Sequence, residues 1–171
     1  LSFKNRVSTD AGKLSGSLIV ISKNSNIQNL DELAGKKIGR LATSSMAGWK
    51  TAVGEATARG FTTQDFFRRI QSFPDNEEMI NALINGDISV AILQGCHYER
   101  LPVGLREQLK PLEPREFTET RCLSTSELYP AWSLLASPKV PEQMQMKVLG
   151  TLKNERALSE FGEWTAPAPL R

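Results

Sequence analysis

The spacing of apolar residues predicts alternating strands and helices from residue 18 to residue 93. A nearly continuous apolar run at 18–22 is typical of a strand that is covered on both faces. Further short apolar runs predict strands at 37–41, 70–73 and 90–93, with a helix at about 46–59 and another that ends at Gly86. Because strands alternate with helices, we expect an α/β fold with a mainly parallel sheet flanked by helices.

Prolines interrupt this pattern after residue 101. The remaining apolar spacing predicts a helix at 104–110, a strand at 132–136, a helix with Val140, Met144, Val148 and Leu152 at intervals of four, and a last helix at 155–164. The sequence contains no internal repeat and no low-complexity tract. We therefore expect the second half to be less regular than the first.

Three hydroxyl residues, Thr43, Ser44 and Ser45, follow the strand predicted at 37–41 and precede the next helix. The first N–H groups of a helix have no intrahelical partner, and the helix dipole is positive at that end. Hydroxyls at this position therefore predict a cradle for a small oxyanion. The alternative is an ordinary helix cap, which is the commoner role of Ser and Thr at such a position.

Two further polar turns follow predicted strands, and open α/β sheets bind ligands beyond the carboxyl ends of their strands. One turn is 73–76, and the other is 94–98. The amide of Gln94 is suited to bind a ligand, although a solvent-facing turn residue is the alternative. Tyr98 combines an apolar ring with a hydroxyl, which suits the wall of a ligand cleft.

Arg40 lies on the strand that leads into the hydroxyl turn. If its side chain points toward a cleft, the guanidinium can pair with a doubly charged oxyanion through two hydrogen bonds. If the side chain points outward, it is a solvated surface charge. The alternation of the strand does not decide between the two.

Composition narrows the classes of function. The net charge of +2 is too small to indicate nucleic acid or a membrane surface as a partner. No segment approaches the roughly 18–20 apolar residues of a membrane span, and the first residues show no signal-like segment. The two cysteines and the single histidine have no metal-ligand spacing, so we expect neither a metal nor another cofactor.

The neighbours Cys96 and His97 raise the hypothesis of an enzyme with a cysteine nucleophile and a histidine base. Adjacent side chains on a strand or a helix do not face each other, and the sequence places no acid to orient the imidazole. We therefore expect no catalytic residue in this chain.

Three longer segments carry motifs in a recognisable order. The first two are "IVISKNSNIQNLDELAGKKIGRLATSSMAGW" and "DNEEMINALINGDISVAIL", and the third is "CLSTSELYPAWSLLASPKVPEQMQMKVLGTL". The first two resemble the periplasmic binding proteins for phosphate, phosphite and phosphonate. The third resembles the sensor domains of two-component histidine kinases related to tetrathionate sensors. The resemblance covers most of the chain, from about Leu18 to Trp164.

The resemblance implies an extracytoplasmic, non-catalytic domain that binds a small phosphorus or sulfur oxyanion between two lobes and signals by lobe closure. It places Ser124, Thr125 and Tyr129 at the cleft. Two cysteines outside the cytoplasm are often bonded, so we expect a Cys96–Cys122 disulfide, with two buried thiols as the alternative. Trp132 is expected to pack in the core.

The resemblance also implies a division of the chain into one near-complete lobe and one partial lobe. Residues 1–17 are expected to form a hinge and part of the first lobe, 18–101 the second lobe, and 102–171 a returning segment that completes part of the first. We expect a fragment of a membrane-anchored histidine kinase, and a homodimer stays open. The alternative is a substrate-binding protein that delivers phosphate, phosphite or phosphonate to an ABC transporter.

Overall fold

The computed structural model of the chain describes residues 2–5, 16–43, 46–66, 68–129, 134–154 and 162–165. In chain order the strands are β1 Ser2–Asn5, β2 Ser17–Ser22, β3 Lys37–Leu41, β4 Arg69–Phe73, β5 Val90–Gln94, β6 Leu109–Pro111, β7 Arg115–Phe117, β8 Thr120–Ser124 and β9 Gly162–Thr165. The helices are α1 Thr51–Ala58, α2 Thr63–Phe66, α3 Asn76–Ile84, α4 His97–Arg100, α5 Val103–Arg106 and α6 Glu142–Asn154. A 3-10 helix at Leu30–Leu33 and a π-helix at Met46–Lys50 complete the described elements.

The chain divides into two compact units. The first unit consists of residues 1–14, 118–121 and 129–171, and the second of 15–117 and 122–128. The second unit thus runs on past residue 101 and contains the five-stranded sheet.

The sheet of the second unit has the strand order β4-β3-β5-β2-β6. β3 pairs in parallel with β4 and β5, whereas β2 pairs antiparallel with β5 and with β6. Every strand of this sheet except β2 therefore runs in the same direction. The fold is α/β with a mixed, mostly parallel sheet, which confirms the predicted fold class.

An apolar core lies on each face of this sheet. Neighbours along a strand alternate between faces. Accordingly, Ile38 packs with Ala52 of α1 on one face, whereas Gly39 faces Met79 of α3 on the other. A Cβ atom at Gly39 would clash with the Cδ1 atom of Ile88, so a side chain at position 39 would require this face to repack.

The strands predicted in the first half are confirmed. β2, β3, β4 and β5 each begin and end within one residue of their predicted limits. α3 begins where the sequence indicated, because the carboxylate of Asp75 accepts a hydrogen bond from the N–H of Glu78 at 2.9 Å. The predicted helix at 46–59 is also present, although its first turn is the π-helix that precedes α1.

Three predictions for the second half were wrong in whole or in part. The helix expected at 104–110 ends at Arg106, and Leu109 is buried in edge strand β6 beside β2. The helix expected at 155–164 is contradicted at its end, where β9 pairs antiparallel with β1, and residues 155–161 lie outside the described residues. Of the strand expected at 132–136, residues 134–136 are irregular, and 132–133 also lie outside that range.

The first unit contains the β1–β9 pair and helix α6. α6 confirms the helix expected from the apolar spacing between Val140 and Leu152. Two of the apolar residues in this spacing are exposed, Met144 to 58% and Val148 to 43%.

Candidate functional site

Three neighbouring strands of the second unit end at one edge of the sheet. β4, β3 and β5 are adjacent and parallel, so their carboxyl ends at Phe73, Leu41 and Gln94 lie side by side. The N–H of Ala42 donates to the carbonyl of Phe73 at 2.7 Å and ties two of these ends together. The structure therefore places the three turns singled out in the sequence at one edge.

Arg40 lies one residue before the end of β3, on the face that carries Ile38 and α1. The guanidinium carbon lies 5.0 Å from the ring centroid of Trp49, which is a cation–π distance. The Nε atom is buried and has no hydrogen-bond partner in the described part of the chain. The strand alternation left the orientation of Arg40 open. In the structure the cation lies over Trp49, and its part in ligand binding stays a prediction.

The hydroxyl turn lies between β3 and the helix that carries Trp49. Thr43 is exposed, and the helix begins at Met46. Ser44 and Ser45 lie outside the described residues, so their part in an anion cradle stays a prediction. The strand end and the helix start on either side of them are where the sequence predicted them.

The turn after β4 contains a polar atom that sequence reasoning missed. The carboxylate of Asp75 is occupied as the cap of α3. The Oδ1 atom of Asn76, one residue further on, is buried and has no partner among the described residues. Buried polar atoms are nearly always hydrogen-bonded, so this acceptor is unusual. Its place at the start of α3, three residues after the end of β4, was the only available signal.

The turn after β5 contains the disulfide. Gln94 is exposed, and the N–H of Gly95 donates to the carbonyl of Gly16 at 2.8 Å. Cys96 is bonded to Cys122, with their Cα atoms 5.0 Å apart, so the predicted disulfide is confirmed. The bond joins the end of β5 to β8.

Cys96 and His97 do not form a catalytic pair. The sulfur of Cys96 is bonded and offers no thiolate to His97. Burial lowers the pKa of His97, and the positive charge of Arg100 lowers it further. Tyr98 is half-buried against the core on the α3 face, and burial raises the pKa of its hydroxyl. Both shifts favour the neutral form of the side chain.

Ser124 and Thr125, which were expected at a ligand cleft, are each 1% exposed. The hydroxyl of Thr125 accepts from the N–H of Ile19 at 3.0 Å and donates to the carbonyl of Leu112 at 2.9 Å. The hydroxyl of Ser124 lies 2.8 Å from the carbonyl of Ser126 and 3.2 Å from that of Ser17, and its single proton can be donated to either. The N–H groups of Ile19 and Thr125 bond the hydroxyl of Thr125 and the carbonyl of Ser17, respectively, and so fasten the residue after β8 to β2. Because both side chains are buried and used within the fold, we leave both residues out of the proposed site.

Tyr129, the last residue of the predicted site, belongs to the first unit and is 37% exposed. Its part in ligand binding stays a prediction. Trp132, for which core packing was expected, lies outside the described residues.

A charge network on the α1 side also escaped sequence reasoning. The carboxylate of Glu55 is 9% exposed and accepts from Arg115 and, at 3.3 Å, from Arg59. Arg59 also donates to Glu113 at 2.6 Å, and Glu113 accepts the N–H of Leu30 at 2.9 Å. Burial opposes the charged form of Glu113, but this N–H and Arg59 outweigh it, so the pKa of Glu113 is lowered. The network fastens the segment before β7 to α1.

Other kinds of site are not found among the described residues. They contain no group of His, Cys, Asp and Glu side chains that could hold a metal ion. None of their helices is both long and apolar enough to cross a membrane. A groove of about 460 Å³ lies at the opposite end of the sheet, lined among others by Ser22, Lys36 and Ser89.

Comparison with protein families identifies the class of this chain. Residues 6–158 match the family described as "ABC transporter, phosphonate, periplasmic substrate-binding protein". The match extends over most of the chain, and the chain belongs to this family. Domains of this kind bind ligands and are not catalytic, and the periplasmic location of the family agrees with the predicted extracytoplasmic location.

One curated relative of this chain is a sensor kinase. The tetrathionate sensor histidine kinase TtrS of Salmonella typhimurium is 27% identical over 161 residues, which are 90% of this chain and 26% of the kinase. This chain thus spans about a quarter of that relative.

Two solved structures share the fold. XAC2383 from Xanthomonas citri, bound to a chloride ion, has a TM-score of 0.60 at 13% identity. The match covers 97% of this chain and 66% of the XAC2383 chain. A binding protein component of an ABC phosphonate transporter from Pseudomonas aeruginosa has a TM-score of 0.55 at 18% identity. This second match covers 93% of this chain and 51% of the Pseudomonas chain. At these identities the likeness shows the fold alone.

Proposed function

We propose that this chain is the extracytoplasmic ligand-sensing domain of a histidine kinase and that it binds a small oxyanion. The observation that carries the proposal is the similarity to the tetrathionate sensor kinase, which extends over 90% of this chain. A sensing domain of this kind belongs to a membrane-anchored parent, and the kinase activity resides in other parts of that parent. The proposed domain binds its ligand without changing it chemically.

The proposed binding site is the sheet edge where β4, β3 and β5 end. Arg40 supplies a cation at this edge, and Thr43 lies directly after β3. Ser44 and Ser45 add hydroxyl donors according to the sequence prediction, and Gln94 adds an amide after β5. Charge-assisted hydrogen bonds of this kind suit phosphorus and sulfur oxyanions alike, so both classes, tetrathionate included, are candidates.

The proposed signal is a shift in a conformational equilibrium. A ligand that prefers one of two conformations increases the population of that conformation. In the mechanism predicted from the resemblance, the two conformations are an open and a closed arrangement of lobes. Closure would then be transmitted to the parent kinase.

A substrate-binding protein of a phosphonate-type ABC transporter is the second candidate. It is favoured by the description of the matching family. The two candidates share the binding chemistry and differ in gene context. A following transmembrane helix and kinase module in the same gene supports the sensor, whereas a stand-alone secreted chain beside permease genes supports transport.

A thermal-shift screen of the purified chain tests the proposal. The anions are phosphate, phosphite, methylphosphonate, sulfate, thiosulfate and tetrathionate, each compared with chloride at equal ionic strength. An anion at 100 times its Kd stabilises the folded state by about 2.7 kcal/mol, which corresponds to about 5–10 °C in a domain of this size. We expect such a rise for at least one oxyanion. No rise with any of them would contradict the proposal.

A further inference from the structure

Trp49 gives the guanidinium of Arg40 a fixed support. The indole is half-buried and packs against the core cluster that α1 covers. The guanidinium carbon of Arg40 lies 5.0 Å from the ring centroid. An arginine head that is already stacked on an aromatic ring loses less conformational freedom when it binds a ligand. The pair is therefore preorganised.

The hydrogen-bond donors of Arg40 are open. Its Nε atom is buried without a partner, and Arg40 has no carboxylate partner in the described part of the chain. Other arginines of the second unit, such as Arg59 and Arg115, are paired with glutamates. Because buried donors nearly always have a partner, the open Nε–H indicates a group that completes it when the site is filled.

We propose that Arg40, supported by Trp49, is the specificity-determining residue of this site, and that it selects –SO₃ and –PO₃ end groups over halide ions. A guanidinium presents Nε–H and one Nη–H side by side, at a spacing that fits two oxygens of one tetrahedral centre. A halide ion is a single acceptor and cannot use both donors in this way. The inference rests on the proposed function, because it concerns the same site.

Calorimetric titration of the whole chain with tetrathionate, methylphosphonate and chloride, at constant ionic strength, tests the inference. Arg40→Lys keeps the charge and removes the planar fork, and Trp49→Leu removes the aromatic support. Arg69→Lys is the matched control, because Arg69 is an exposed arginine at the opposite end of the neighbouring strand β4.

We expect the parent to bind at least one of the two oxyanions about tenfold or more tightly than chloride. Arg40→Lys should lower the affinity for that oxyanion about tenfold and change the affinity for chloride by less than about twofold. Trp49→Leu should also lower the affinity for the oxyanion, and Arg69→Lys should bind both kinds of anion as the parent does.

Two results separate this inference from the proposed function. If Arg40→Lys binds the oxyanion as tightly as the parent, or loses chloride binding to the same extent, the fork does not select and the inference is overturned while the proposed function stands. A parent that binds neither of these two oxyanions overturns the inference, and the proposed function falls only if the other four oxyanions of the thermal-shift screen also fail to bind. If Arg40→Lys does not fold by circular dichroism, Trp49→Leu decides, and an oxyanion affinity of this variant equal to that of the parent overturns the inference.

Discussion

Replacement of Thr125 by Val removes one hydroxyl, keeps the shape of the side chain and acts on a residue that is 1% exposed. It leaves two backbone groups without their partner: the N–H of Ile19, 3.0 Å from the hydroxyl oxygen, and the carbonyl of Leu112, 2.9 Å from it. A buried polar group left unpaired costs about 1–3 kcal/mol. The two groups together predict a loss of about 2–6 kcal/mol in the free energy of unfolding.

Urea denaturation followed by circular dichroism measures this loss. Thr57→Val is the matched control, because Thr57 is exposed and its hydroxyl donates at 2.9 Å to the carbonyl of Val53 in its own helix. The control should change the free energy of unfolding by less than about 0.5 kcal/mol. A loss for Thr125→Val no larger than that of the control would refute the inference that this hydroxyl fastens its segment to β2.

Three further predictions concern a charge, the disulfide and the hydroxyl turn. The pKa of Glu113 is lowered, against the effect of its burial, by a backbone N–H and a guanidinium. Its contribution to stability is therefore present above the ordinary carboxyl pKa and is lost as the pH falls through the lowered value of the folded state. Glu113→Gln should lower stability at pH 7, and its difference from the parent should shrink in acid, as denaturation at a series of pH values will show. Cys96→Ala with Cys122→Ala should lower the free energy of unfolding by about 2–4 kcal/mol, and a reducing agent should lower the Tm of the parent but not of this variant. Ser44→Ala with Ser45→Ala should weaken oxyanion binding in a calorimetric titration by about 1–3 kcal/mol per lost donor, and cost the fold about 1 kcal/mol.

Each of these predictions has its own control. Glu116→Gln, at an exposed position, should follow the parent at every pH. Ser137→Ala, on an exposed loop of the first unit, should leave oxyanion binding unchanged. A stability difference between Glu113→Gln and the parent that grows in acid would contradict the account of the charge. An unchanged Tm of the parent after complete reduction would contradict that of the disulfide. An unchanged oxyanion affinity of the double serine variant would contradict that of the hydroxyl turn.

The strands of the first half were predictable because their signals are local. The run at 18–22 is apolar at almost every position, and β2 is indeed buried from Ser17 to Ile21. The cap Asp75 and its partner Glu78 are three residues apart, so a short window of sequence contains the whole motif. The direction of β2 was not predictable, because it depends on pairing with β5 and β6, which come much later in the chain.

The candidate site was predictable as an edge of the sheet but not in its individual residues. Parallel neighbours end at the same edge, so the three turns were expected together. The resemblance placed Thr125 at a ligand cleft, whereas its backbone partner Ile19 is 106 residues away in sequence and could not be predicted from a local pattern. The orientation of Arg40 depends on Trp49, which sits on the next element of the chain, and strand alternation alone contains no such information.

The central claim is that this chain binds an oxyanion and leaves it chemically unchanged. Calorimetric titration with tetrathionate, thiosulfate and methylphosphonate, followed by ion chromatography of the recovered solution, measures both parts at once. The account predicts saturable one-site binding of at least one of these anions and its full recovery. Titrations without saturable heat for all three, or the disappearance of an anion in the presence of the chain, would contradict it.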